Sequence, residues 1–212
     1  MNNALLEFVK RQFEHEHSGH DWFHIQRVIQ NALYLQEMEG GDREIIHLVA
    51  LLHDISDHKL NGGILNDGHH KATELLTQFS YSTLIIERVA GIIDEISFKG
   101  KGVPDQNSCL ESKIVQDADR LDAIGAIGIA RAFAYGGANN RILYDPNIPP
   151  KNHQTFEEYA QDKSHTINHF YEKLLTLESR MHTNTAKKLA RRRTIILEDF
   201  LKAFYAEWNL TS

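Results

Sequence analysis

The feature that most constrains the fold of this chain is an apolar run that leads directly into polar and charged residues. In the segment ALLHDISDHK, His53 and Asp54 follow a series of aliphatic residues that extends from Ile45 to Leu52. An unpaired polar group in a protein core costs about 1–3 kcal/mol, and an unpaired charge costs more. A chain that buries this run must therefore supply partners for both side chains, and a metal ion is the natural candidate.

The neighbouring segments have the pattern of α-helices. Asp21 can cap a helix whose apolar residues recur at positions i, i+3, i+4, i+7 and i+8 and which ends at Gly40 and Gly41. Asp42 then opens a second helix, which carries the apolar run as far as His53. Few segments alternate with period two, so the sequence predicts an all-α, single-domain helical bundle. Further helices are predicted over residues 71–79, 83–96, 109–137 with a division near Asp122, 156–177 and 185–208.

Charge and composition exclude several classes of function. The 212 residues carry a formal net charge of −6 at pH 7, which gives no overall attraction to nucleic acid or to anionic lipid. Cys109 is the single cysteine, so an internal disulfide framework is excluded. The sequence shows neither a basic segment before an apolar run at its start nor a stretch as long as a membrane span. It therefore predicts a soluble cytoplasmic protein with neither nucleic acid nor a membrane as partner, and leaves a homodimer open.

Three of the predicted helices carry residue types that bind metal ions. His24 lies in the first turn of one helix, and His53 and Asp54 lie at the end of the next. Asp119 belongs to a third helix, within the aspartate-rich segment VQDADRLD. Two imidazoles and two carboxylates suit a borderline or hard divalent ion, for which Mn²⁺, Mg²⁺, Zn²⁺, Fe²⁺ and Ni²⁺ are all chemically reasonable.

In this set of residues the chain resembles the HD-domain superfamily of metal-dependent phosphohydrolases. The pattern of that superfamily is a histidine, then an adjacent His-Asp pair, then a distant aspartate, and it is matched here by His24, His53-Asp54 and Asp119. The resemblance extends over about residues 18–137. Four segments are similar to a small stand-alone bacterial branch that includes nucleoside-triphosphate pyrophosphatases: GHDWFHIQRV, HDISDHK, ISFKG and QDADRLDAIGAIGIARAF.

The resemblance implies a helical bundle in which those four side chains hold one divalent ion, with Mn²⁺ as the expected ion. It also implies hydrolysis of a phosphoester or phosphoanhydride in a small molecule, with a nucleotide as substrate. We expect one domain over residues 1–212, with the metal-site core at about 18–137 and the helices of residues 155–208 packed on it. His69 and His70 could bind a second ion, but their flanks look like a loop entering a helix, so a single-metal site is predicted.

Two residues near the metal pattern are candidates for acid–base roles. Asp57 lies four positions after His53, so on a continuing helix it faces the same side and could position or deprotonate a water molecule. Its alternative role is a hydrogen bond at the helix end. His20 precedes the metal histidine and could donate a proton to the leaving group.

Three basic residues are candidates for contacts with phosphate. Arg27 lies one turn beyond His24, and Arg120 lies beside Asp119, where paired N–H donors could meet phosphate oxygens. Either arginine could instead be a structural ion-pair partner. Lys99, in the loop segment SFKGKG, could reach a triphosphate or simply be solvated.

Together with this resemblance, these residues predict cleavage of a (deoxy)nucleoside triphosphate to a monophosphate and pyrophosphate by a metal-activated water. One alternative is a phosphodiesterase or phosphomonoesterase that acts on another nucleotide or an alarmone. Another is a nonhydrolytic nucleotide sensor that keeps the metal for folding. The intact set of four ligand residues and the carboxylate of Asp57 favour an enzyme.

Overall fold

The fold is all-α, as the sequence predicts. The structure is a computed structural model, and it describes residues 2–14, 21–55, 68–96, 107–151 and 164–211. Within these ranges there are nine α-helices and no strand. The helices are α1 Asn3–Gln12, α2 Trp22–Glu39, α3 Arg43–Leu52, α4 Gly68–Gln78, α5 Thr83–Ile96, α6 Leu110–Asp122, α7 Gly125–Ala138, α8 Thr166–Glu172 and α9 Asn184–Trp208.

The predicted helix starts at Asp21 and Asp42 are confirmed. The carboxylate of Asp21 accepts a hydrogen bond from the backbone N–H of His24 at 2.7 Å. The carboxylate of Asp42 accepts from the backbone N–H groups of Glu44 and Ile45 at 3.0 and 3.2 Å. Both aspartates thus accept hydrogen bonds from backbone N–H groups that have no acceptor within the helix. The first cap also fixes which turn of α2 carries His24.

The centre of the fold is formed by α2, α3 and α6, which pack on one another, while α4 packs on α5 and α9 packs on α7. Seven of the ten residues of α3 are buried. Because α3 is enclosed on most of its circumference, its C-terminal end delivers His53 and Asp54 to the interior next to α2 and α6. The packing of one helix therefore decides the position of the polar pair.

The C-terminal half holds α7 in place through aromatic contacts and close backbone approach. The Phe133 ring lies 5.9 Å from the Phe170 ring of α8 and 5.8 Å from the Phe200 ring of α9. A Cβ atom added at Gly136 would lie 2.3 Å from the Thr166 hydroxyl oxygen, so this contact between α7 and α8 requires glycine. These contacts position α7 independently of the polar groups it presents to α6.

One predicted helix is wrong in its extent. The segment predicted as a helix over 156–177 begins outside the described residues, and its described part forms α8 only as far as Glu172. Lys173 then leaves the helical conformation with φ −133° and ψ −60°, and two short 3₁₀ turns follow, Leu174–Thr176 and Glu178–Arg180. The break lets Leu174 and Leu177 turn into the core, where both are buried. Within the described ranges, no helix is both long enough and apolar enough to cross a membrane.

Candidate metal centre

Four predicted ligand residues converge between α2, α3 and α6. The Nε2 atoms of His24 and His53 lie 3.2 Å apart. The Oδ2 atom of Asp54 lies 3.3 Å from Nε2 of His24 and 3.5 Å from Nε2 of His53. The Oδ1 atom of Asp119 lies 3.5 and 3.9 Å from the same two nitrogens. Ligand atoms of His24, His53 and Asp119 all lie within 4.8 Å of one another, a spacing that one divalent ion can bridge. Asp54 adds a carboxylate oxygen next to both imidazoles.

Both histidines are held with Nε2 directed at the centre. Nδ1 of His24 lies 2.7 Å from Oδ2 of Asp122, and Nδ1 of His53 lies 2.9 Å from the carbonyl oxygen of Ala50. A proton on Nδ1 that is donated to an oxygen leaves the Nε2 lone pair for a metal ion, which is the usual arrangement around histidine ligands. The Ala50 carbonyl belongs to the last turn of α3, where carbonyls lack partners within the helix. The helix end therefore orients its own histidine.

The centre attracts positive charge. Burial lowers the pKa of His24, but hydrogen bonds to Asp122 and Asp54 outweigh this effect and raise the pKa to about 9. Burial raises the pKa of Asp122, but its contacts with His24, Arg27 and Arg131 hold it well below its ordinary value. In the ion-free protein His24 is thus protonated, and its extra proton lies between the donor atoms, where a metal ion would bind.

Asp122 lies next to the candidate centre, and the sequence reasoning gave it no role. Its carboxylate is almost wholly buried and accepts hydrogen bonds from His24, from Nε and Nη2 of Arg27 at 2.7 and 3.1 Å, and from Nη1 of Arg131 at 2.8 Å. The available signal was spacing: Asp122 follows Asp119 by three residues, as Arg27 follows His24, so each pair shares a helix face.

The two predicted phosphate-binding arginines differ in position. Arg27 lies beside the centre, paired with Asp122, and its side chain is 31% exposed. Arg120 is buried; it donates a hydrogen bond to the carbonyl of Arg180 and contacts Nε2 of His182 at 3.1 Å. Successive residues on a helix point about 100° apart, which carries Arg120 away from the face that holds Asp119. These contacts favour a structural role for Arg120, and its predicted contact with phosphate stays a prediction.

Three predicted residues, Asp57, His20 and Lys99, lie outside the described residues, and their roles stay predictions. His69, the alternative ligand for a second ion, is half-exposed on α4 and has its Nδ1 atom 3.5 Å from Oδ2 of Asp94 on α5. The prediction of a single ion is not tested by this contact.

Comparison with known proteins places this geometry in a family. The sequence model of the HD domain matches residues 22–124, which include all four converging side chains. YpgQ of Bacillus subtilis is 37% identical over 199 residues, which cover 93% of this chain and 89% of YpgQ. The chain belongs to the HD domain family. HD domains bind divalent metal ions.

Solved structures extend the similarity to nearly the whole chain. A protein from Lactobacillus plantarum is 39% identical with a TM-score of 0.87, and an HD-superfamily hydrolase from Bacillus thuringiensis is 42% identical with a TM-score of 0.74; each match covers 98% of this chain and 96% of the other. YpgQ has been solved in complex with ADP, and that structure matches at 33% identity with a TM-score of 0.75, over 97% of this chain and 96% of YpgQ. The chain is accordingly an HD-superfamily hydrolase.

Proposed function

We propose that the chain is a metal-dependent phosphohydrolase that cleaves (deoxy)nucleoside triphosphates to a monophosphate and pyrophosphate. The observation that carries the proposal is the convergence of His24, His53, Asp54 and Asp119, with both Nε2 atoms directed at one point. The nucleotide is supported by the ADP complex of the related YpgQ. Membership of a hydrolase superfamily makes water the expected nucleophile.

The donor set fits a divalent cation. Two imidazole nitrogens and two carboxylate oxygens suit an ion of borderline character, and we propose Mn²⁺. When bound, such an ion lowers the pKa of water and offsets negative charge on phosphate oxygens. The chain supplies the orientation, because Asp122 and the Ala50 carbonyl hold the two imidazoles in place.

In the proposed reaction, the oxygen of water forms a bond to the α-phosphorus, and the bond from that phosphorus to the bridging oxygen breaks. Pyrophosphate leaves with the bridging oxygen. We propose that Asp57 accepts a proton from the water and that His20 donates a proton to the leaving group. Arg27 donates N–H groups to the phosphate oxygens, since charge neutralisation is the main electrostatic demand of phosphoryl transfer, and Lys99 adds a second cation.

The proposal is tested by incubating the purified protein with a panel of nucleoside mono-, di- and triphosphates in Mn²⁺ and separating the products by chromatography. Triphosphates should yield monophosphate and pyrophosphate. Release of inorganic phosphate alone would overturn the proposed bond specificity, and its release from monophosphates would identify a phosphomonoesterase. A rise in melting temperature with nucleotide and no product would identify a sensor and overturn the enzymatic proposal.

A further inference from the structure

We infer that Asp122 holds Arg27 and Arg131 together as a two-guanidinium site for the pyrophosphate part of the substrate, with Arg131 as a further substrate-binding residue. The inference rests on the proposed function, because it names how the same site recognises a phosphoanhydride. It adds to α2, α3 and α6 a fourth helix, α7, which contributes Arg131.

The charges around Asp122 favour an anion as the missing partner. One buried carboxylate is shared by two guanidinium groups, and Oδ2 alone receives His24, Arg27 and Arg131. Within the described ranges, neither arginine forms an ion pair with a second carboxylate. Asp21 attracts Arg27 only through its charge, and its carboxylate is engaged with the backbone of α2. When the centre holds a divalent ion, that ion and the two arginines together carry one positive charge more than the carboxylates of Asp122, Asp54 and Asp119 balance. A phosphate group can balance this charge.

The two guanidinium groups have N–H donors to spare. An arginine side chain carries five N–H donors in a planar fork. Arg27 uses Nε–H and one Nη2–H on Asp122, and Arg131 uses one Nη1–H. The side chain of Arg27 is 31% exposed and that of Arg131 is 17% exposed, whereas Asp122 is 3% exposed. The carboxylate is therefore sealed inside, while part of each arginine side chain remains exposed.

The position of this pair relates it to the metal centre. A single imidazole separates them, since His24 contacts Asp122 through Nδ1 and presents Nε2 to His53, Asp54 and Asp119. A phosphate chain with one group at the metal centre would bring its neighbouring group towards the two arginines. Guanidinium groups bind phosphate oxygens through parallel N–H donors, which suits the paired phosphates of an anhydride.

A second buried aspartate on the same helix shows what a purely structural carboxylate looks like here. Asp117 accepts hydrogen bonds from the backbone N–H groups of His182 and Thr183 and from the hydroxyl of Thr183. None of these partners is an arginine side chain, in contrast to the partners of Asp122. Arg131 is also not the only contact that holds α7 in place, because Phe133 packs α7 on α8 and α9.

The test measures binding of inorganic pyrophosphate to the Mn²⁺-loaded protein by calorimetry, without turnover. Loss of one charge-assisted contact in Arg131→Gln should weaken pyrophosphate binding about tenfold or more. Arg131→Lys, which keeps the charge but loses the fork, should retain part of the affinity, and affinity for Mn²⁺ should stay unchanged in both variants. The matched control is Arg191→Gln on α9, an exposed arginine paired with Glu178 and Glu198.

Two results would overturn the inference. One is equal pyrophosphate affinity in Arg131→Gln and Arg191→Gln. The other is a loss of Mn²⁺ affinity in Arg131→Gln as large as the loss of pyrophosphate affinity, since this would make Arg131 a structural support of the centre. Pyrophosphate binding that depends on Arg131 without any cleavage of triphosphates would overturn the proposed function alone. Triphosphate cleavage with pyrophosphate binding independent of Arg131 would overturn only the inference.

Discussion

Nδ1 of His24 and Oδ2 of Asp122 lie 2.7 Å apart, across 98 residues of sequence, and both groups are buried. This contact links the candidate metal centre to the two arginines that surround Asp122. Through this contact Asp122 orients His24, a predicted metal ligand, without being a predicted ligand itself. Asp122 is therefore a positioning residue in this account.

Asp122→Asn should lower Mn²⁺ affinity by about 10–100-fold, the usual effect of removing the partner of a histidine ligand. The amide keeps the shape of the side chain but loses the charge that orients His24 and holds Arg27. Titration calorimetry with Mn²⁺ measures the change. The matched control is Asp117→Asn on the same helix, which should reduce the free energy of unfolding while the folded protein binds Mn²⁺ as before. Equal Mn²⁺ affinity in Asp122→Asn and the wild type would contradict the positioning role.

The ion-free protein should lose stability as pH rises, while the stabilisation added by Mn²⁺ should grow. Burial lowers the pKa of His24, yet hydrogen bonds to Asp122 and Asp54 raise it from 6.5 to about 9 in the ion-free fold. A group whose pKa is raised by folding stabilises the folded protein fully at pH values below its unfolded-state pKa. This stabilisation is lost as the pH rises to the folded-state pKa. The contribution of His24 to the ion-free protein should therefore fall between pH 6.5 and about 9. Mn²⁺ replaces the proton, so the stabilisation by Mn²⁺ should grow over the same interval.

Melting temperatures in a chelator and in Mn²⁺ at several pH values test this prediction. The difference between the two should widen as pH rises, and calorimetry should detect proton release when Mn²⁺ binds at neutral pH. A difference that stays constant with pH, together with no proton release, would show that His24 is not protonated in the ion-free centre.

Arg120→Gln should reduce stability by about 1–3 kcal/mol, because the partly buried hydrogen bond from Arg120 to the carbonyl of Arg180 loses its charged donor. The same variant should leave the KM for nucleoside triphosphates unchanged. Denaturant unfolding and steady-state kinetics provide the two readouts. A raised KM with unchanged stability would restore the phosphate-binding role that the sequence had left open.

Local sequence patterns predicted the framework of the fold well. The caps Asp21 and Asp42 and the division of the chain near Asp122 are all present, because each depends on residues within one or two turns of a helix. The four predicted ligands were identifiable because each opposes the apolar pattern of its own helix or, like Asp119, lies in a cluster of carboxylates. The structure brings their donor atoms together, and the coordination of an ion stays a prediction.

The remaining features depend on which helix faces which, and a single sequence does not contain this information. Asp122 was recognised as part of an aspartate cluster, but its contact with His24 depends on how α6 packs against α2. Arg131 was not singled out because its partner lies on the preceding helix across a tight turn at Gly125. The end of α8 at Glu172 was missed because burial of Leu174 outweighs the helical pattern around Lys173.

The most direct measurement of the central claim is a crystal structure of the protein grown with Mn²⁺, with data collected at the manganese absorption edge. The account predicts one strong anomalous peak within bonding distance, about 2.0–2.3 Å, of Nε2 of His24, Nε2 of His53 and a carboxylate oxygen of both Asp54 and Asp119. Loss of that peak in Asp54→Ala, with the fold retained, should accompany loss of turnover. A peak bound by other residues, or none at saturating Mn²⁺, would contradict the claim.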